Sequence, residues 1–361
     1  MNWLNAFREN SDVSTCKGFS YHDLITYHEL ATNLLRAASG IDFGAKNREI
    51  IVKASRELLV DVIVEEPDIV FMVSGERIPP AVFYEIMKYR KETGRNFLIA
   101  GYITEAPYIN QELDNVSDWF DVVFTNELND VKRRDPNEEK YVFYLPHAFN
   151  PARHHTGDVS EGFQRDVFFC GSLFPERIAL LRDLAWETID NPLIAGPSHV
   201  KETVKLYGEE LGQWAIDGLY SNEVVDNDDL ADYYRGSKIV INKHRTFGWT
   251  PEGKRLDIDG SSAYSTGPRL LEVAGCGGFS LTDHRPEVED IFGDSVPTFV
   301  DAEHLNELIA YYLEHKEERE NMATEAHIRA SEHTYHNRAK FVMDILLEAT
   351  EVYRKTGGNR K

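Results

Sequence analysis

The sequence predicts an α/β protein built from two parallel-sheet domains in tandem. Three observations lead there. Short, nearly continuous apolar runs alternate with longer amphipathic stretches along most of the 361 residues. Such runs read as strands buried on both faces, the condition of a parallel sheet covered by helices. The runs form two series on either side of a Pro-, Gly- and His-containing stretch at 146–165, and at roughly 100–200 residues per domain the length fits two domains.

Taken in order, the first clear element is a helix, HDLITYHELATNLLRAA (22–38); the opening NWLNAF is too short and too polar for a central strand. DIVFMVS (68–74), NFLIAGY (96–102), FDVVFTN (120–126) and KYVFYL (140–145) are strands. PAVFYEIMKYRKETG (80–94) is a helix with Pro near its start and Gly94 as its stop. Strand–helix–strand order at this spacing implies parallel pairing. The second series comprises DVFFCGS (166–172), PLIAGP (192–197), KIVIN (238–242), GFSLTD (278–283) and VPTFV (296–300). Helices are expected at 175–190, 201–216, 228–236, 268–276 and 302–315, and two long ones, 317–333 and 335–356, close the chain. The expected domains are 1–150 and 151–330, with 331–361 as a closing helical segment.

Composition narrows the function. With 39 basic against 61 acidic residues the net charge is −22, a field that repels nucleic acid and anionic membranes while leaving room for a local basic pocket. No apolar run is long enough to span a bilayer, and MNWLNAFREN lacks the apolar core of a secretory signal. Cys16, Cys170 and Cys276 are odd in number and widely spaced, which fits a reducing, cytoplasmic setting with each Cys as a small apolar group.

Open parallel sheets bind ligands beyond the carboxyl ends of their strands, so the residues after each strand are the candidates. After DVFFC come Gly171 and Ser172, then a helix with Arg177 in its first turn. This is either a phosphate-binding turn or a plain tight turn with a Ser cap. After KIVI come Asn242, Lys243, His244 and Arg245, read as an anion clamp centred on Arg245 or as a solvated loop. Residues 244–267 form a long loop containing Lys254 and Arg255, either a ligand-ordering segment or an insertion. In GPRLLEVAGCGGFSLTDHRPEVEDIFG (267–293), Pro268 opens a short helix on which Arg269 and Glu272 share a face. The Arg suits a phosphate and the Glu a pair of vicinal hydroxyls; the alternative is a surface ion pair of little energy. GCGG precedes a strand, so it is no dinucleotide fingerprint. Asp226-Asn227-Asp228 is read as a helix N-cap rather than a metal-holding DxD; Asp257-Ile258-Asp259 lies in the long loop, and no metal is expected.

RLLEVAGCGGFSLTDHRPEVEDIFG (269–293) resembles the R-[TF]-x-E-x-x-A-C-G-x-F-x-L-T-D segment of CgeB-like glycosyltransferases. SEHTYHNRAKFVMDIL (331–346) is similar to that family's H-T-Y-x-x-R segment, DLADYYRGSKIVINKHR (229–245) to its strand ending in N-x-H-R, and DVFFCGSLFPERIALL (166–181) to the opening of its second domain. PDIVFMVSG (67–75), WFDVVFTNE (119–127) and YLPHAFNP (144–151) follow in the usual order, so the resemblance covers roughly 60–346. It implies a GT-B fold: two Rossmann-like domains facing each other across a cleft, with the closing helix 335–356 crossing back to the first.

The resemblance also implies a reaction. The second domain would bind a nucleotide-diphosphate sugar, a UDP-sugar being the expected donor. The first would bind a hydroxyl acceptor on a glycan, a spore or surface component or a protein. No cofactor and no metal is implied. Arg245 and Arg269 are expected on the leaving diphosphate, supported by Gly171, Ser172, Asn242 and Lys243, with Glu272 on the ribose hydroxyls. Relatives often carry a second Glu eight positions before the latter; here that residue is Tyr264, so a retaining outcome does not follow. A base for the acceptor hydroxyl is expected at Glu105, in GYITEAPY, or at His147, because a His can titrate near neutrality. Two other readings stay open: a glycosyltransferase acting on hydroxylated bases of viral DNA, and a sugar-nucleotide-binding scaffold without catalysis.

Overall fold

The computed structural model describes residues 2–20, 23, 47–74, 78–108, 119–133, 141–197, 201, 204–205, 208–217, 220–221, 225–249, 255–257 and 263–356. The helix expected at 22–38 lies outside them apart from Asp23. The described elements, in chain order, are α1 (Asn2–Arg8), α2 (Asn47–Glu65), β1 (Ile69–Val73), α3 (Pro80–Thr93), β2 (Leu98–Ile103), β3 (Val122–Thr125), α4 (Leu128–Arg133), β4 (Tyr141–Tyr144), β5 (Arg165–Cys170), α5 (Pro175–Arg182), β6 (Pro192–Ala195), α6 (Glu209–Asp217), β7 (Tyr220–Ser221), α7 (Asn227–Gly236), β8 (Ser237–Asn242), β9 (Phe247–Trp249), β10 (Arg255–Asp257), α8 (Pro268–Gly275), β11 (Ser280–Asp283), α9 (Pro286–Phe292), β12 (Thr298–Phe299), α10 (Ala302–Glu314), α11 (Lys316–Ala330) and α12 (Tyr335–Thr356).

Helix boundaries follow local chemistry. Helices α3, α5, α8 and α9 each open with Pro, whose missing N–H costs nothing in a first turn and whose fixed φ suits the helix. Gly94 ends α3 in the left-handed region, at φ 68°. Asp226 caps α7 by accepting the Asp228 N–H at 2.9 Å, as read from the sequence, and Asp301 caps α10 by accepting that of His304 at 2.9 Å.

The chain forms two compact units: Met1–Asn126 with Asp130–Leu145 and Ala339–Lys361, and Glu127–Asn129 with Pro146–Arg338. Thus Glu127–Asn129 groups with the second unit, and α12 from Ala339 onward with the first.

In the first unit the sheet runs β1-β2-β3-β4, all parallel. Val82, Phe83 and Ile86 of α3 pack on Phe97, Ile99, Phe120 and Val123. The opening segment is a helix, not a strand: Trp3 and Phe7 of α1 set their rings 5.5 and 5.1 Å from that of Phe71 on β1. Helix α2 and the short α4 are further elements that the sequence pattern does not bring out.

A buried ion pair braces this sheet. Arg90 Nη1 donates to Asp121 Oδ2 at 2.5 Å and to the Phe97 carbonyl at 3.0 Å; the same Oδ2 accepts the Ile99 N–H at 2.9 Å.

The second unit holds a six-stranded parallel sheet in the order β12-β11-β8-β5-β6-β7. Numbered within the unit this is 6-5-4-1-2-3, so the direction of chain progress reverses between β5 and β8. Period-2 alternation splits the strands between two cores. Val167, Phe169, Ile239, Ile241 and Leu281 face α5, α10 and their neighbours, while Phe168, Cys170 and Val240 face Ala231 and Tyr234 of α7 and Val273 of α8. Within the long loop 244–267, β9 and β10 pair antiparallel as a two-stranded ribbon. Lys254 and Asp259 lie outside the described residues.

Replacing Asp121 by Ala removes the counter-charge of a buried guanidinium. The expected loss is about 3–5 kcal/mol, read as a lowered urea midpoint for the first unit.

Candidate functional site

At the carboxyl ends of β5 and β6, two glycine turns let backbone and guanidinium approach closely. Gly171 follows β5 at φ 150° and Gly196 follows β6 at φ 128°. A Cβ on Gly196 would lie 2.3 Å from the Gly171 carbonyl oxygen, and one on Gly171 would lie 2.5 Å from Arg269 Nη2. Arg269, in the first turn of α8, therefore rests on bare backbone at the carboxyl end of β5. Its Nη1 donates to Asn242 Oδ1 at 3.0 Å, and Asn242 Nδ2 donates to Thr282 Oγ1 at 2.9 Å. The side chain thus bridges the ends of β5 and β8.

The other basic residues divide into different roles. Arg177, read from the sequence as part of a phosphate turn, instead ties two turns together: Nε donates to the Lys243 carbonyl and Nη1 to that of Ser172, each at 2.9 Å. Lys243, expected to support the diphosphate, has its ammonium 2.8 Å from Asp283 Oδ2. Arg285 is 1% exposed and donates to the Arg245 carbonyl at 3.1 Å. Arg245 sits over the Phe174 ring, 4.6 Å from its centroid. Arg245 and Arg269, the two residues expected on a diphosphate, are both partly buried.

His244 is buried and does not add a charge to the clamp. Its backbone N–H and Nδ1 lie 2.8 and 2.7 Å from Asp283 Oδ1. Burial pushes the imidazole pKa down against the pull of Asp283. Burial also opposes ionisation of Asp283, yet His244 and Lys243 hold that carboxyl well below the usual range. The arrangement is a neutral imidazole donating to an ionised carboxylate whose counter-charge is Lys243.

Glu272 lies one turn after Arg269 on α8 and is partly buried; burial raises its pKa while Arg269 and Arg153 pull the other way. It is not a solvated surface group. The stretch before α8 is held by carboxylates. Glu127 accepts the N–H groups of Tyr264 and Ser265 at 3.0–3.2 Å, Glu287 accepts that of Thr266 at 2.5 Å, and the Tyr264 phenol donates to Asp290 at 2.5 Å. Glu127, Arg285 and Glu287 are not candidates in the sequence reading, and Asp283 enters it only as the closing Asp of the L-T-D motif. The signal that marks them is a charged residue at or just beyond the carboxyl end of a strand, at 283 and 127, or at a Pro-led helix start, at 285 and 287.

The two candidate bases separate. Glu105 is exposed just beyond β2, in the first unit. Beside it, Thr104 Oγ1 lies 2.5 Å from Ser74 Oγ at the end of β1. His147 belongs to the second unit, where burial and Arg338 lower its pKa to about 4. That value lies below the near-neutral titration expected from the sequence. The segment around it explains a sequence pattern. Phe149 pairs with Thr334, and Arg338 donates to the Pro146 carbonyl at 3.2 Å, so PHAFNP (146–151) and SEHTYHNR (331–338) lie side by side.

Residues 190–344 match the family model described as "Glycosyl transferase-like". The chain is similar to Spore protein CgeB of Bacillus subtilis (strain 168), 22% identical over 278 residues that span 75% of this chain and 80% of that protein. Among solved structures, it is similar to sucrose-phosphate synthase from Thermosynechococcus elongatus at TM-score 0.60 and 10% identity, covering 84% of this chain and 79% of that one. It is also similar to Anabaena HepE in complex with UDP and glucose, at TM-score 0.56 and 11% identity, covering 83% and 81%. The fold is GT-B, and the resemblance to CgeB-like proteins extends over most of the chain. Among the described residues no helix is long and apolar enough to cross a membrane.

His147, His154 and His333 all have pKa values lowered to about 4, chiefly by burial. Unfolded His titrates near 6.5, so between pH 4 and about 6.5 the unfolded chain binds more protons than the folded one. The second unit is thus expected to keep this contribution above pH 6.5 and lose it progressively down to pH 4. Urea midpoints measured across that range check the slope, and His333→Gln should flatten it.

Proposed function

We propose that the chain is a glycosyltransferase that moves a sugar from a nucleotide-diphosphate sugar to a hydroxyl acceptor. The observation that carries this reading is Arg269, seated on Gly171 and held by Asn242 where the strand order reverses. Nucleotides bind parallel sheets at that point. The UDP held by HepE supports UDP as the first nucleotide to test.

In this reading the bond from the anomeric carbon to the β-phosphate oxygen breaks, and the acceptor oxygen bonds to that carbon. Negative charge grows on the departing diphosphate. Arg269 and Arg245 meet it, together with the backbone N–H groups at the start of α8. A guanidinium gives several donors in a fixed plane, which suits phosphate oxygens. With two such groups, we assign stabilisation of the leaving group to side chains and propose that no metal is required. Glu272 accepts hydrogen bonds from the ribose hydroxyls. Burial opposes its charge when the site is empty; two hydroxyl donors would favour the ionised form. Gly171 and Ser172 supply the close backbone approach, and Asn242 orients Arg269. Lys243, matched by Asp283, acts on the field and not as a direct ligand. We assign the acceptor proton to Glu105, since His147 holds protons weakly.

Arg269→Ala and Arg245→Ala should each weaken UDP binding by roughly 10-fold or more, the size of a hydrogen bond to a charged group. Thermal shift against UDP, GDP, ADP, CMP and dTDP, with and without EDTA, reads this directly. A diphosphate-selective shift unaffected by EDTA is expected. Full affinity in both variants would show the phosphate lies elsewhere. Tight binding with neither donor hydrolysis nor transfer would favour a scaffold.

A further inference from the structure

We propose that His244 and Asp283 are positioning residues of the donor site: they fix the amide of Asn242 and, through it, the guanidinium of Arg269. The proposal rests on the reading of Arg269 given above.

One carboxylate oxygen, Asp283 Oδ1, receives both the backbone N–H of His244 at 2.8 Å and its ring Nδ1 at 2.7 Å. The turn and the ring plane are therefore set by the same atom. With the proton on Nδ1, Nε2 has only a lone pair to offer. It faces two donors, the Thr266 hydroxyl at 3.2 Å and Asn242 Nδ2 at 3.4 Å. Asn242 Nδ2 also donates to Thr282 Oγ1 at 2.9 Å, which leaves Oδ1 facing Arg269 Nη1 at 3.0 Å.

The orientation of that amide has one workable answer. Rotated by half a turn, it would set NH₂ against the guanidinium, donor on donor, and its oxygen against the lone pair of His244 Nε2. Asn242 is 4% exposed, His244 5%, and Thr266 and Thr282 0%, so water does not relieve either mismatch. The neutral Nδ1–H tautomer, dictated by Asp283, thus selects the amide orientation that gives Arg269 its acceptor. Thr266 stands two residues before Pro268, so the same imidazole touches the entry to the helix that carries Arg269 and Glu272.

A general stabilising role and a positioning role make different predictions. His244→Asn places an amide N–H near the position of Nδ1, keeping a donor for Asp283, and removes the acceptor at Nε2. Affinities for UDP and for uridine are measured by calorimetry in the wild type, His244→Asn, Arg269→Ala and the double variant. Positioning predicts that His244→Asn weakens UDP roughly tenfold, leaves uridine unchanged, and adds nothing once Arg269 is Ala. An equal loss for UDP and uridine, or an undiminished loss in the Arg269→Ala background, would overturn it. If Arg269→Ala alone binds UDP normally, the donor-site reading itself falls, and the proposal with it. Thr282→Val, which removes the other partner of Asn242 Nδ2 at nearly constant volume, enters the same cycle should His244→Asn fail to fold. A loss that again vanishes without Arg269 is expected, and an additive loss overturns the proposal.

Discussion

Arg269 lies against a stretch of backbone that has no room for a side chain, and much of the second unit is arranged around that fact. Gly171 must be glycine twice over, for its φ of 150° and for the guanidinium pressed on it. Gly196 must be glycine to let the next turn close on Gly171. The Gly171 turn ends β5 at the reversal in strand order, the one place in a doubly wound sheet where neighbouring turns diverge and leave a crevice. The side chain that enters comes from α8, whose Pro268 start and buried Leu270, Leu271 and Ala274 fix the helix on Phe149 and Val288. Packing energy in an apolar layer thus pays for the placement of a charge.

The chain is acidic overall, yet it concentrates five basic side chains at these strand ends and then disposes of three. Arg177 and Arg285 are spent on backbone carbonyls, and Lys243 on Asp283. Unpaired buried charges are costly, so a cluster of cations in one place requires this internal accounting of partners. Two further guanidiniums lie against aromatic rings: Arg245 is 4.6 Å from the Phe174 centroid, and Arg269 is 5.9 Å from that of Phe169. Weak hydration makes guanidinium the cation that tolerates such a setting.

How far this was legible in the sequence differs by level. The strands were legible because parallel sheets bury both faces, and runs such as VFFC and KIVIN have no other economical fate. Arg269, Asn242 and Gly171 were legible because they follow strands or open a helix. What was not legible is which cation is matched by which anion. Nothing in the sequence around Lys243 shows that its ammonium is matched by Asp283, forty residues away. His147 is a candidate base in the sequence because imidazole titrates near neutrality in water; the burial and the neighbouring Arg338 that lower its pKa to about 4 come from tertiary packing. The hairpin β9–β10 was missed because three-residue strands carry too short a pattern to register.

Tyr264, where relatives often have a glutamate, follows from the same charge logic. Its backbone N–H is held by Glu127, its phenol donates to Asp290, and Glu287 holds the residue two positions on. Burial and these three acids together push the phenol pKa up, a measure of how strongly the surroundings resist another negative charge. A carboxylate at 264 would be a fourth acid in a group whose hydrogen-bond donors are already taken. A neutral phenol both avoids that repulsion and supplies a donor to Asp290. The departure from the motif therefore marks a loop that is locked by carboxylates from outside it rather than one that presents a carboxylate of its own.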